Sequence, residues 1–415
     1  MLPTLRLSVV LAPILGCGPG GASSAEAGGS ATSQAGDTTS SGASGGDTES
    51  ASSTGIPTGS GTSMGGGEGT TATSTTTTAD ATSSVDDTGT STGGAGICED
   101  PGAPGCTACD AMGEPQRLFG LTWNYAKGEP GSGLGSEELR CIVPETGSSA
   151  LIAAIPGMDW LPVGHNTYDP DAAVLYAFAF ANSDNITRIF SIQTITGDLL
   201  NNPPVEPTFN WSGGIHVRSD GTLVGVTWNP GALQEELRIL DPATGVATLV
   251  AAIPEIATLY QAIYAYDRLA DHVFMIGGAN GEAGEHLFVI DAMTGALISD
   301  PVFAAPLPWS SGIYVRADGQ LIGVAIDGMK QLQRLLTIDP TTAETGVIAE
   351  IPDLGPLLLG ASVYDELHNT LFVVDDQFRL VQIDATSGDV LASPKLATPP
   401  NPNANYNWSG GLHIR

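Results

Sequence analysis

The chain has 415 residues, long enough for more than one domain, with few charged side chains and a formal net charge of −31. That surplus of acid repels nucleic acid and anionic lipid headgroups and argues against polyanionic partners. Divalent cations and neutral ligands such as glycans remain compatible with it.

Residues 1–17 read as a targeting segment: Arg6 gives one positive charge and Leu7 to Leu15 a short apolar stretch interrupted by Pro13. Nine or so apolar residues cannot span a bilayer, and no other segment approaches 18 uninterrupted apolar positions, so no spanning helix is predicted. The end of the segment, Ile14-Leu15-Gly16-Cys17, resembles the lipobox of bacterial lipoproteins. The resemblance implies cleavage before Cys17, lipid modification of that cysteine and, with Gly18 next to it, export to the outer membrane. An ordinary secretory signal with an incidental cysteine is the competing reading.

Residues 18–97 are dominated by Ser, Thr, Gly and Ala with scattered acids and no lysine or arginine. Such a composition cannot bury enough apolar surface to offset ordering entropy, which predicts a disordered tether. As a flexible coil it would span roughly 50 Å. A cysteine-rich collar follows over 98–115, with Cys98, Cys106 and Cys109, and Cys141 lies further on. Four cysteines in an exported chain suggest two disulfides, with three connectivities open. Cys106-Thr-Ala-Cys109 lacks the second Cys or His pair that a structural zinc site requires, so no metal is predicted there. A bond to Cys141 would pin the collar against the folded domain.

Residues 116–415 are an array of repeats. One phrase occurs three times, as Asn210-Trp-Ser-Gly-Gly-Ile-His-Val-Arg218, Pro308-Trp-Ser-Ser-Gly-Ile-Tyr-Val-Arg316 and Asn407-Trp-Ser-Gly-Gly-Leu-His-Ile-Arg415, its tryptophans 98 and 99 residues apart. Between these copies a second kind of repeat carries Tyr168-Asp169, Tyr266-Asp267 and Tyr364-Asp365. Both kinds finish in a tight turn such as Asp241-Pro-Ala-Thr-Gly245, where aspartate opens the turn and glycine takes the positive φ. Six such hairpins at about fifty-residue spacing, flanked by short Val/Ile/Leu/Phe/Tyr runs, predict six four-stranded units and little helix.

The third copy stops after its arginine, whereas the earlier two continue into a turn and a second strand. The missing continuation, Gln116-Arg-Leu-Phe-Gly-Leu-Thr-Trp-Asn124, stands at the front of the domain. The expected fold is therefore all-β: a six-bladed β-propeller closed by its C-terminal strand, with Gly411 to Arg415 beside Leu118 to Trp123. Closure is needed because an open ring would expose two sheet faces and their edges. With these repeats the chain resembles bacterial propellers of the broad YVTN/NHL-like class, a likeness that implies fold and little chemistry.

With strands lettered A to D from axis to rim, the A–B and C–D turns share one face, and the B–C loops and the links between blades share the other. Loop variety puts the expected site on the connection face, around the central channel. The candidate ligand-binding residues are Trp160, Trp211, Trp309 and Trp408, which could stack on flat ligands or wedge between blades, and His216, Tyr314 and His413, which could line the channel. Arg218, Arg316 and Arg415 recur at the ends of the A strands, placed to pair with Asp220, Asp318 or a neighbouring turn. No catalytic motif is present, which predicts a lipid-anchored binding or protein-interaction module of the outer membrane, facing the periplasm or the cell surface, without a cofactor. The alternative resembles the gluconolactonase-type propellers: a hydrolase or lactonase with a divalent cation, Ca²⁺, at the channel mouth. That resemblance implies acid and amide ligands converging from several blades, where this chain mostly carries Trp, Gly, His and Tyr.

Overall fold

The computed structural model describes residues 118–124, 137–158, 161–180, 186–208, 210–396, 406–408 and 410–415. The predicted signal with Cys17, the linker 18–97, the collar with Cys98, Cys106 and Cys109, and Trp160 lie outside the described residues.

Six antiparallel sheets follow one another along the chain. Blade 1 holds β1 (Leu118–Asn124), β2 (Glu137–Ile142) and β3 (Ser149–Ile155); blade 2 holds β4 (Asn166–Asp169), β5 (Val174–Phe180), β6 (Thr187–Gln193) and β7 (Leu199–Asn201). Blade 3 is β8 (Ile215–Val217), β9 (Leu223–Asn229), β10 (Gln234–Leu240) and β11 (Ala247–Ile253), and blade 4 is β12 (Ile256–Asp267), β13 (His272–Ala279), β14 (His286–Asp291) and β15 (Leu297–Ser299). Blade 5 is β16 (Trp309–Val315), β17 (Leu321–Asp327), β18 (Leu332–Ile338) and β19 (Thr345–Ile351), and blade 6 is β20 (Leu357–Asp365), β21 (Thr370–Asp375), β22 (Leu380–Asp384) and β23 (Val390–Ala392). Two last strands, β24 (Tyr406–Asn407) and β25 (Leu412–Ile414), return to blade 1. The described residues form no helix.

The ring closes as the split repeat requires. Leu118 pairs with Ile414, Phe119 with His413 and Gly120 with Leu412, while Trp123 pairs with Asn407. The first blade thus takes its inner strand from the end of the chain. All six Thr-Gly-type turns fall between the third and fourth strands of a blade, and glycine has positive φ at five of them, as at Gly245 (φ 75°). The sixth has Ala343 in the same conformation, at φ 55°.

The core is divided among six apolar clusters, one in each gap between blades. Successive residues of one strand serve opposite gaps: Leu223 packs toward blade 2 and Val224 toward blade 4. That is why the strands read as near-continuous apolar runs, since a blade has no solvent face in its middle. The gap between blades 6 and 1 is filled by Ala361, Phe372 and Val374 against Leu118, Trp408 and Leu412. Its closure therefore rests on the same apolar burial as the other five.

Candidate functional site

The Trp-Ser phrase enters each odd-numbered blade at its connection-face end. Trp211 and Trp408 are 2% and 3% exposed, and Trp309 is half-buried. Trp211 lies against Phe178 of blade 2 with ring centroids 4.6 Å apart, and Trp309 meets Phe303 edge-on at 5.7 Å. Beneath each indole the second strand carries a glycine. A Cβ on Gly225 would stand 2.8 Å from the Trp211 ring, and one on Gly323 2.8 Å from that of Trp309. These tryptophans act as wedges between blades, and neither Trp211 nor Trp408 presents a stacking face to solvent.

The connection end of the axis is pinched by three equivalent positions of the Tyr-Asp repeats. Gly164, Ala262 and Gly360 all have positive φ, at 77°, 60° and 78°. A Cβ on Gly164 would lie 2.7 Å from that of Ala262, and one on Gly360 would lie 2.6 Å from Val163. Backbones from blades 2, 4 and 6 therefore meet across the axis.

Beyond this pinch the inner strands diverge into a cavity of about 920 Å³ that opens at the turn face, opposite the face where loop variety places the site. Asn166, Tyr168, His216, Tyr264, Tyr266, Tyr314, Tyr364 and His413 line its wall, and Ser219, Leu269, Arg316, Gly319, Leu367 and Arg415 its mouth. Of the candidate residues, the structure brings His216, Tyr314 and His413 together here and keeps Trp211, Trp309 and Trp408 away. They occupy one register position in blades 3, 5 and 1, each on an inner strand opposite the second strand: His216 opposite Val224, Tyr314 opposite Ile322 and His413 opposite Phe119. The tyrosines come from blades 2, 4, 5 and 6. They escape a search for catalytic motifs because their spacing is that of the fold.

Burial sets the chemistry of the wall. Desolvation holds His216 at about 4 and His413 at about 3, against smaller opposing contributions from backbone hydrogen bonds with Gly213 and Gly410. Both imidazoles are neutral at pH 7. Nε2 of each is buried without a partner, so the backbone bond falls to Nδ1–H and Nε2 is left as an acceptor. His216 stacks on Tyr266 at 5.7 Å and meets Tyr264 edge-on at 5.1 Å. Tyr314 donates to Ser362 Oγ. Burial, the largest cause, raises Tyr314 to about 12 and Tyr264 higher still, so both stay phenols.

The arginines at the strand ends pair largely as their sequence neighbours suggest. Arg218 lies 3.2 Å from Asp220 and 3.4 Å from Asp271, and Arg316 lies 2.6 Å from Asp318. Arg415 instead donates to Thr194 Oγ1 at 2.9 Å. Among the described residues no three His, Cys, Asp or Glu side chains gather where they could hold a metal ion.

No family model and no curated protein matches the chain. Solved structures that resemble it include the nidogen/laminin complex, at 10% identity and a TM-score of 0.47, covering 72% of this chain and 98% of that one. TolB from Acinetobacter baumannii has 13% identity and a TM-score of 0.43, covering 66% of this chain and 65% of that one. The periplasmic gluconolactonase of Pseudomonas aeruginosa has 13% identity and a TM-score of 0.41, covering 70% of this chain and 99% of that one. At such distances the fold rests on the strand pairing of the molecule itself.

Proposed function

We propose that this protein is a lipid-anchored ligand-binding module of the bacterial outer envelope, and that its ligand sits in the cavity at the turn face. The observation that supports this reading is the character of that cavity. Its volume falls in the range of small-molecule sites and its wall is aromatic. Neutral imidazoles and phenols facing a cavity suit an uncharged ring bearing hydroxyl groups, such as a sugar residue of a glycan. The acidic field around the domain disfavours nucleic acid.

The anchor belongs to the same proposal. Cleavage before Cys17 and its lipidation would hold the propeller at the outer membrane, facing the periplasm or the cell surface, on the 18–97 tether. A disulfide from one of the collar cysteines to Cys141, which is buried in β2 opposite Phe119, would brace the tether against blade 1. The mass of the mature N-terminal peptide tests the anchor directly: an unmodified Cys17 defeats it.

The binding site is tested by blocking the mouth. Ser219 is exposed on the turn of blade 3 and lines the opening. Ser219→Trp is expected to leave the melting temperature within about 1 °C of wild type, since surface changes stay near 0.5 kcal/mol. It is also expected to abolish any thermal shift that a panel of mono- and oligosaccharides produces in the wild-type protein. A sugar shift that survives in Ser219→Trp places the ligand elsewhere.

A further inference from the structure

The closed end of the turn-face cavity is built from the phrase that the sequence repeats most plainly. The last glycine of each Trp-Ser phrase is Gly214, Gly312 or Gly411. A polar side chain covers each of them. A Cβ on Gly214 would collide with the Tyr264 ring of blade 4, and one on Gly411 would lie 2.8 Å from Asn166 Oδ1 of blade 2. Blade 6 offers only the short Ser362 at the equivalent position, and Tyr314 of blade 5 takes up the space. Its hydroxyl donates to Ser362 Oγ and would stand 3.1 Å from a Cβ on Gly312. Asn166, Tyr264 and the Tyr314–Ser362 pair thus form a floor across the inner strands.

Two residues further toward the connection face, on the same three strands, come Gly164, Ala262 and Gly360, whose backbones pinch the axis. Blade 5 joins them, since a Cβ on Gly312 would lie 3.3 Å from the Ala262 carbonyl oxygen. The side wall is equally continuous. Every blade contributes an inner strand to it, and apolar clusters fill the gaps between blades. The cavity is therefore a blind cup of about 920 Å³, open at the turn face alone.

We propose that this cup takes the free end of a glycan chain and excludes its interior. An internal residue of a polymer carries chain on both sides, so an open cleft or a through-channel can hold it. In a blind cup one of the two flanking segments has no way out. A terminal residue leaves a single chain, which runs out through the mouth past Ser219. The volume lies in the upper part of the range for small-molecule sites and leaves room for more than one sugar ring. The inference rests on the reading of the cavity as a sugar site, and it adds which part of the sugar chain enters.

Matched linear and cyclic glucans provide the test, because a ring has the residues and linkages of its linear form but no end. The full-length protein is melted with maltohexaose and with α-cyclodextrin, then with isomaltohexaose and the corresponding cyclic dextran. All four are used at equal concentrations of glucose residues. At least one linear glucan is expected to raise the melting temperature by roughly 2 °C, and its ring form to leave it unchanged. The same gain is expected to vanish in Ser219→Trp, whose mouth is blocked. A ring that matches its linear form overturns end recognition while leaving the cavity a sugar site. A linear gain that persists in Ser219→Trp comes from another surface and overturns both. No gain from either linear glucan overturns the sugar reading of the cavity, and end recognition falls with it.

Discussion

At pH 8 the double variant Glu137→Gln, Glu235→Gln is expected to melt well above the wild-type protein, and at pH 5 the two are expected to melt nearly together. Glu137 and Glu235 begin the third strands of blades 1 and 3 and are 1% and 2% exposed. Desolvation raises Glu137 to about 8, with the neighbouring Glu138 adding to the effect, and raises Glu235 to about 7 against the bond from Ser212. In the unfolded chain both would titrate near 4.5. A carboxyl whose folded pKa is raised contributes its stability below the unfolded value and loses it as the pH climbs through the folded one. The loss here runs from about pH 4.5 to about 8. At about 1.36 kcal/mol for each tenfold change in proton affinity, it comes to roughly 5 kcal/mol for Glu137 and roughly 3 kcal/mol for Glu235.

The repeat itself indicates that an amide is tolerated. Gln333 occupies the same register in blade 5, pairing with Ile351 as Glu137 pairs with Ile155 and Glu235 with Ile253. Ser310 donates to Gln333 Oε1 at 2.6 Å, as Ser212 donates to Glu235 Oε2 at 2.5 Å. Gln333 Nε2 in turn donates to the carbonyl of Gly355 at 3.2 Å, a role that only a protonated glutamate could take. Melting curves from pH 5 to 9 check this, with a gain of roughly 10 °C expected at pH 8. Parallel curves for the two proteins would mean that these carboxyls titrate normally.

Removing residues 406–415 is expected to abolish the folded state. The cut takes away Trp408 and Leu412, each at most 3% exposed, from the cluster between blades 6 and 1, together with the half-buried Ile414. Burial of each such side chain contributes roughly 1.5–3 kcal/mol. The inner-strand hydrogen bonds of blade 1 go with them, and the apolar faces of β1 and β20 are left open. The sum approaches the whole net stability of a typical domain, about 5–15 kcal/mol. Loss of the near-ultraviolet dichroism of the aromatic clusters is the readout. A truncated chain that keeps the wild-type melting temperature would remove the closing strand from the account.

The fold was legible because its signals are local and repeated. An Asp-x-x-Thr-Gly turn must be a hairpin, six hairpins at even spacing must be blades, and a strand missing from one end must be sought at the other. Pairing of Arg218 and Arg316 with Asp220 and Asp318 was legible too, since the partners lie two residues apart. The cavity was less so. Irregular loops suggested the connection face, but the axis there is pinched by Gly164, Ala262 and Gly360, positions whose side-chain identity says little and whose backbone φ no composition reveals. The turn face is built from compact, generic turns, yet it carries the opening because the inner strands diverge toward it. The repeat alone puts His216, Tyr314 and His413 at one position of the inner strands, whereas Tyr168, Tyr266 and Tyr364 stand out in the sequence only as repeat markers.

Every feature of the cavity, from His413 in its wall to Arg415 at its mouth, depends on the chain's end being zipped into its first blade. Hydrogen exchange of the peptide covering residues 406–415 measures this most directly. The account predicts that the amides of β25 exchange as slowly as those of β9, through global unfolding alone. Exchange of that peptide within seconds, while β9 stays protected, would contradict the closed ring.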